Sequence, residues 1–200
     1  MPQTLGSNAT VEEATSSTAI PMTVWMVAGG VLLLDQSTKS LVLSLLAYAQ
    51  ERVVVDGFFK FVHWGNAGAA WSLFNNLAGS NEMLAVVSLM ALLFLMFSRN
   101  QFETSTLPGR ISMGLMIGGI LGNLYDRLHP ARRHVIDFIY FYAYRRSGAE
   151  IGFPAFNVAD SAICVGVGLM LVAMYVPRRA TNRPPGLPDR DRPATHQPPS

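Results

Sequence analysis

The stretch FPAFNVADSAICVGVGLMLVAMYV, Phe153 to Val176, decides the fold. From Asp160 onward it carries no charge until Arg178, which suits a helix in lipid, yet it opens with Asn157 and Asp160. A carboxylate at the edge of a bilayer is costly and needs a compensating role. The three-residue spacing fits a helix N-cap followed by an acid in the first turn, where each satisfies free backbone amides or complements the helix dipole.

Three more apolar runs lie upstream: Ala19–Leu34, continuing through DQSTKSLVLSLLAY; Met83–Phe97; and Ile111–Tyr125. Half of the 200 residues are hydrophobic and only 14% are charged, against about a quarter in soluble domains. Mean hydropathy is +0.28. None of the runs alternates as a barrel strand would, so helices are the expected spanning form. The expected fold is therefore all-α and integral to the membrane, with four transmembrane helices over about 19–46, 81–98, 109–128 and 156–176. Polar segments 1–18 and 177–200, the second rich in Pro and Arg, are expected to be disordered tails. The N-terminus has no basic region of the kind a cleaved signal peptide carries. Net charge is +2, and the tail arginines are diluted by Pro and Asp, which argues against nucleic acid as a partner.

Two connections are distinctive. VVVDGFFKFVHW reads as two short strands around the turn pair Asp56-Gly57. The segment of about 130–153 is aromatic and basic and is expected to be a loop on the bilayer surface. In the third run Gly114, Gly118 and Gly122 recur every fourth residue, a spacing that lets helix backbones approach closely. Basic residues occur on both sides of the runs, so charge leaves the orientation open.

Polar residues interrupt this pattern at few places. Asp35 and Lys39 are four apart and pair on one helix face, either as a structural ion pair or as a catalytic one. Asn123, Asp126 and Arg127 share a face in GNLYDR, as a buried network or as part of a site. Asn66 stands beside a small-residue run, and Asp137 stands alone in RHVIDFIYFY. The chain has no GxSxG nucleophile and no HExxH metal motif. Its four histidines show no ligand spacing, and its one cysteine, Cys164, reads as a small apolar residue. The surplus is carboxylates. Two of them close together share a proton, one acting as base toward water and the other as acid toward a carbonyl, which is aspartic-type peptide hydrolysis without metal or cofactor. A proton-coupled carrier, or a scaffold with structural polar pairs, would also place acids in membrane helices.

DQSTK, NAGAAWSLF, GGILGNLYDR, VIDF and FPAFNVADS, in this order among four apolar runs, resemble the lipoprotein signal peptidase (signal peptidase II) family. The resemblance covers roughly Trp25 to Tyr175. It implies an aspartic endopeptidase of the bacterial inner membrane that removes the signal peptide from diacylglyceryl-modified prolipoproteins, just before the lipid-bearing cysteine. It implies a catalytic pair in Asp137 and Asp160. Asn66, Asn123, Asp126, Arg127 and Asn157 would serve substrate binding and support of that pair, and Asp35 with Lys39 would stabilise the end of the first helix. It further implies an extracytoplasmic β-cradle over about 50–78, an amphipathic periplasmic lid loop over about 130–153, both termini in the cytoplasm and the site at the outer face. Expected partners are lipid-modified prolipoproteins and membrane lipids; no metal, cofactor or second subunit is expected. The HPARRH segment is more basic than the resemblance leads one to expect, which suggests contact with anionic headgroups.

Overall fold

The computed structural model describes residues 19–66, 79–102 and 104–175. Both expected tails, and the small-residue run after Asn66, lie outside the described residues. Four helices, α1 (Met22–Leu45), α2 (Ser80–Phe97), α3 (Leu107–Leu128) and α4 (Val158–Tyr175), are joined to four strands, β1 (Glu51–Val55), β2 (Phe59–Asn66), β3 (Val135–Tyr144) and β4 (Glu150–Gly152). The strands form one antiparallel sheet in the order β1-β2-β3-β4.

Helix α3 is the hub, packing against α1, α2 and α4. Thr106 caps its N-terminus by accepting a hydrogen bond from the Gly109 amide, with Pro in the first turn. Its glycines allow the close crossings. A Cβ on Gly118 would stand 2.6 Å from the Ala28 carbonyl oxygen of α1, and one on Gly119 would collide with the Ala159 carbonyl of α4. The core between these helices is built from Val24, Ala28, Leu95, Met113, Met116, Ile117 and Ile120. A bond from Ser112 Oγ to the Gly166 carbonyl, 2.8 Å, adds a polar tie between α3 and α4.

The outer faces are apolar. Met26, Leu33, Val86, Met90, Phe94, Phe97 and Val172 are all exposed, while Asp35, Lys39, Asp126 and Asn157 are fully buried. A water-soluble monomer shows the opposite arrangement. Among the described residues α2 alone is long and apolar enough by itself to cross a membrane; α4 holds a shorter apolar stretch, Val158–Ala173. Helix α1 carries Asp35 and Lys39 and helix α3 carries Asp126, all three buried within the bundle.

The segment expected as a surface loop over about 130–153 is instead mainly β3 and β4, so the architecture is helical plus a sheet rather than all-α. VIDFIYFYAY is rich in β-branched and aromatic residues, which fit a pleated surface. The period-two signal was masked because both faces of this strand are apolar or aromatic. The hairpin at Asp56-Gly57 is present, with Gly57 at φ +71°. Tyr142 and Tyr144 hydroxyls both donate to Asp56 Oδ1, tying that turn to β3. Lys60 of β2 joins Glu51 of β1 (2.6 Å) to Glu150 of β4 (2.9 Å), so a buried cation links both sheet edges.

Candidate active site

Asp137 and Asp160 come from different elements, and two features bring them together. The first is a bulge in β2. Phe61 pairs with Ile139 but Trp64 pairs with Asp137, so the register slips by one residue between them. A one-residue slip exchanges the faces of a strand. Beyond it Asn66 lies opposite Val135, diagonal to Asp137 on the same face, and its Nδ2 donates to Asp137 Oδ2 at 2.9 Å. The second is the docking of α4. Phe156 exchanges backbone hydrogen bonds with Ile139, at 2.9 and 3.0 Å, which sets the start of α4 against β3.

Asn157 then works in two directions. Its Oδ1 accepts from the Asp160 amide (2.9 Å), while Asp160 Oδ2 accepts from the Asn157 amide (3.2 Å), a reciprocal capping box. Its Nδ2 donates to Asp137 Oδ1 (2.8 Å) and to Asn123 Oδ1 (3.2 Å). Asn123 Nδ2 in turn donates to Asp160 Oδ1 at 2.7 Å. Each carboxylate therefore accepts from two fixed donors, and Asn157 spans both.

Below this layer lies an ionic one. Lys39 Nζ stands 2.8 Å from Asp35, 2.7 Å from Asp126 and 3.1 Å from Asn123 Oδ1, with all three ions fully buried. Asp35 also accepts from the Ala159 amide at 3.0 Å, placing its charge on the N-terminus of α4. Gly122 leaves room for it, since a Cβ there would be 2.6 Å from Asp35 Oδ2.

The pair Asp35–Lys39 thus forms as the spacing predicts, but it extends into α3 and α4 rather than closing on itself. Asp126 turns to Lys39 and to Arg132 (2.8 Å), whereas Arg127 donates to the Asn123 carbonyl (3.3 Å). Arg127 Nε and Asn81 Oδ1 are buried without a hydrogen-bond partner among the described residues. The expected headgroup contact of HPARRH is not what engages its arginines: Arg132 reaches inward to Asp126, and Arg133 pairs with Glu82 of α2. Sequence reasoning missed Gln36 and Arg132. Gln36 lay within the quoted DQSTK motif, next to Asp35, and was its one signal.

Burial pushes the Asp137 carboxyl up from 3.8 to about 7, and the charge of Asp160 adds to this; the Asn66 and Asn157 donors and the Lys39 charge oppose it. A carboxyl group poised near neutrality beside a second one can hold a proton for donation while its partner acts as a base.

Comparison with known proteins identifies the family. The family described as Signal peptidase (SPase) II matches residues 27–176. The lipoprotein signal peptidase of Azoarcus sp. (strain BH72) is 42% identical over 177 residues, covering 86% of this chain and 92% of that protein. That of Syntrophotalea carbinolica is 36% identical over 152 residues, covering 75% and 89%. A bacterial membrane enzyme structure obtained by the in meso method at 1.9 Å is similar with a TM-score of 0.64 and 27% identity, over 78% of this chain and 94% of that one. A second, at 2.3 Å, has a TM-score of 0.59 and 26% identity, over 84% and 95%. The chain belongs to the signal peptidase II family.

Proposed function

We propose that this enzyme removes the signal peptide from diacylglyceryl-modified prolipoproteins, cutting before the lipid-bearing cysteine, with Asp137 and Asp160 as the catalytic pair. The observation that carries the assignment is the convergence of these two carboxyl groups on one asparagine, Asn157, in a buried polar site.

Asp137, whose carboxyl is raised by burial to about 7, holds the shared proton and gives it to the scissile carbonyl oxygen. Ionised Asp160 takes a proton from the attacking water. Oxygen bonds to the carbonyl carbon; the C–N bond of the tetrahedral diol then breaks as the leaving nitrogen receives the proton from Asp160 and one hydroxyl returns a proton to Asp137, giving the acid product and restoring the pair. Asn66, Asn123 and Asn157 fix the carboxylates, and positioning of this kind supplies much of the rate. Arg127, with one donor uncommitted, orients the substrate backbone.

All four helices span the membrane in this reading. Their 18 to 24 residues give roughly 27–36 Å at 1.5 Å per residue, near the hydrocarbon thickness. The apolar outer faces support it, since paired ions turned inward make α1 and α3 acceptable to lipid. Both termini lie in the cytoplasm, and the sheet stands outside with the site. A lipid-anchored substrate then enters from the side with its acyl chains still in the bilayer.

The test is cleavage of a diacylglyceryl prolipoprotein by purified enzyme in detergent, read by mass. Asp137→Asn and Asp160→Asn should each abolish the product while the protein still accumulates in membranes, and the unlipidated precursor should be cut poorly. Wild-type turnover in either variant would remove the pair from the chemistry.

A further inference from the structure

Arg132 lies in the connection between α3 and β3, flanked by the exposed residues Ala131 and Arg133, yet its own side chain is only 17% exposed. Its Nη1 donates to Asp126 Oδ1 (2.8 Å) and to Gln36 Oε1 (3.1 Å). With Gln36 Oε1 committed to Arg132, Gln36 Nε2 turns inward to Asp35 (3.1 Å), the Gly122 carbonyl (3.2 Å) and Asp126 (3.3 Å).

We propose that Arg132 is a positioning residue for the reaction: by holding Asp126 and Gln36 it keeps Lys39 on Asn123, and so keeps the Asn123 amide aimed at Asp160. The inference rests on Asp160 being half of the catalytic pair.

The cluster below the site contains two carboxylates, Asp35 and Asp126, and two cations, Lys39 and Arg132. Without Arg132 these four groups hold one negative charge in excess, and Lys39, already 2.7 Å from Asp126, is left as its contacting cation and gives up the longer 3.1 Å bond to Asn123 Oδ1. Asn123 Oδ1 then loses the ammonium that marks it as the oxygen end. Only the Asn157 amide, at 3.2 Å, then holds that oxygen, so the Asn123 amide is less firmly fixed and its donor, now 2.7 Å from Asp160 Oδ1, loses its aim. The damage falls on the reacting carboxylate rather than on substrate affinity. Arg133 supplies the control. It belongs to the same loop but pairs with Glu82 at the surface, side chains 67% and 56% exposed, where ion pairs contribute little.

The experiment compares Arg132→Gln, Arg132→Lys, Arg133→Gln and Asp160→Asn for kcat, KM and thermal midpoint on a diacylglyceryl prolipopeptide. Arg132→Gln should lower kcat about tenfold, in the range of other outer-layer partners, with KM within about twofold. Arg132→Lys, which keeps the charge, should recover most of that loss, and Arg133→Gln should match wild type. Wild-type kcat in Arg132→Gln alongside an inactive Asp160→Asn overturns the role of Arg132 and leaves the pair standing. So does an equal loss in Arg132→Gln and Arg133→Gln that follows the thermal midpoint, since the loop would then be scaffold. Activity in Asp160→Asn overturns both assignments.

Discussion

Asp137 makes the stability of the enzyme depend on pH in a way that one substitution removes. Its carboxyl is raised from 3.8 to about 7, chiefly by burial. The folded protein therefore binds a proton there that the unfolded chain has released, throughout the window from about pH 4 to about pH 7. Stability falls as pH rises across that window and levels off above it. The displacement corresponds to about 4 kcal/mol over the whole transition and about 2.5 kcal/mol between pH 5 and 8. The proton belongs to the pair with Asp160, so the increment is a property of both groups. Asparagine at 137 does not titrate. It presents one oxygen and one amide to the two donors Asn66 and Asn157, so one of those hydrogen bonds is lost, at a cost of about 1–3 kcal/mol that does not vary with pH. The quantity to follow is thus the difference in thermal midpoint between Asp137→Asn and wild type, from pH 5 to pH 8 in one detergent. Titrating groups outside this pair are common to both proteins and cancel. The difference should move in favour of the variant by about 5–10 °C, using the usual shift per kcal/mol for a chain of this size. A difference that stays constant within a degree would mean that Asp137 is not proton-bearing in the folded enzyme, and the assignment of acid and base would go with it.

Two further predictions concern the layer below the pair. Lys39→Met removes the cation between two buried carboxylates and should cost about 3–5 kcal/mol, seen as poor accumulation or a lowered midpoint in detergent; a midpoint equal to wild type would mean the charges are neutralised in another way. Gly122→Ala pushes a methyl into Asp35 Oδ2 and should cost about 1–3 kcal/mol together with activity, whereas Gly29→Ala, where a Cβ meets nothing within 4 Å, should be neutral or stabilising by up to about 1 kcal/mol. Equal effects at both positions would contradict the packing described for α3.

How far the sequence reveals this molecule depends on the range of each signal. The Asn157–Asp160 spacing states a local fact, and the capping box follows from it. The Gly114–Gly118–Gly122 ladder likewise announces close helix contacts, although it does not say that Gly118 faces α1 while Gly119 faces α4. Strand β3 was illegible as a strand because aromatic residues on both faces erase alternation and resemble an interfacial loop. The destinations of charges were the least readable. Asp126 has Arg127 as its neighbour in sequence but takes Lys39 and Arg132 as partners, because a helix end points adjacent side chains in different directions. Arg132 and Arg133 look alike in HPARRH, and only the turn between them, with Arg133 at φ +52°, sends one inward and the other out.

The four-residue spacing of Asp35 and Lys39 also bears on biogenesis. When α1 leaves the ribosome, neither α3 nor α4 has been synthesised, so their counter-charges are not yet there to receive it. Because the ammonium and the carboxylate sit 2.8 Å apart on a single helix, the nascent segment carries its own neutralisation and can partition into lipid as a zwitterion with no net charge. Assembly with later helices then adds distant partners to the local one without ever exposing a bare ion to hydrocarbon.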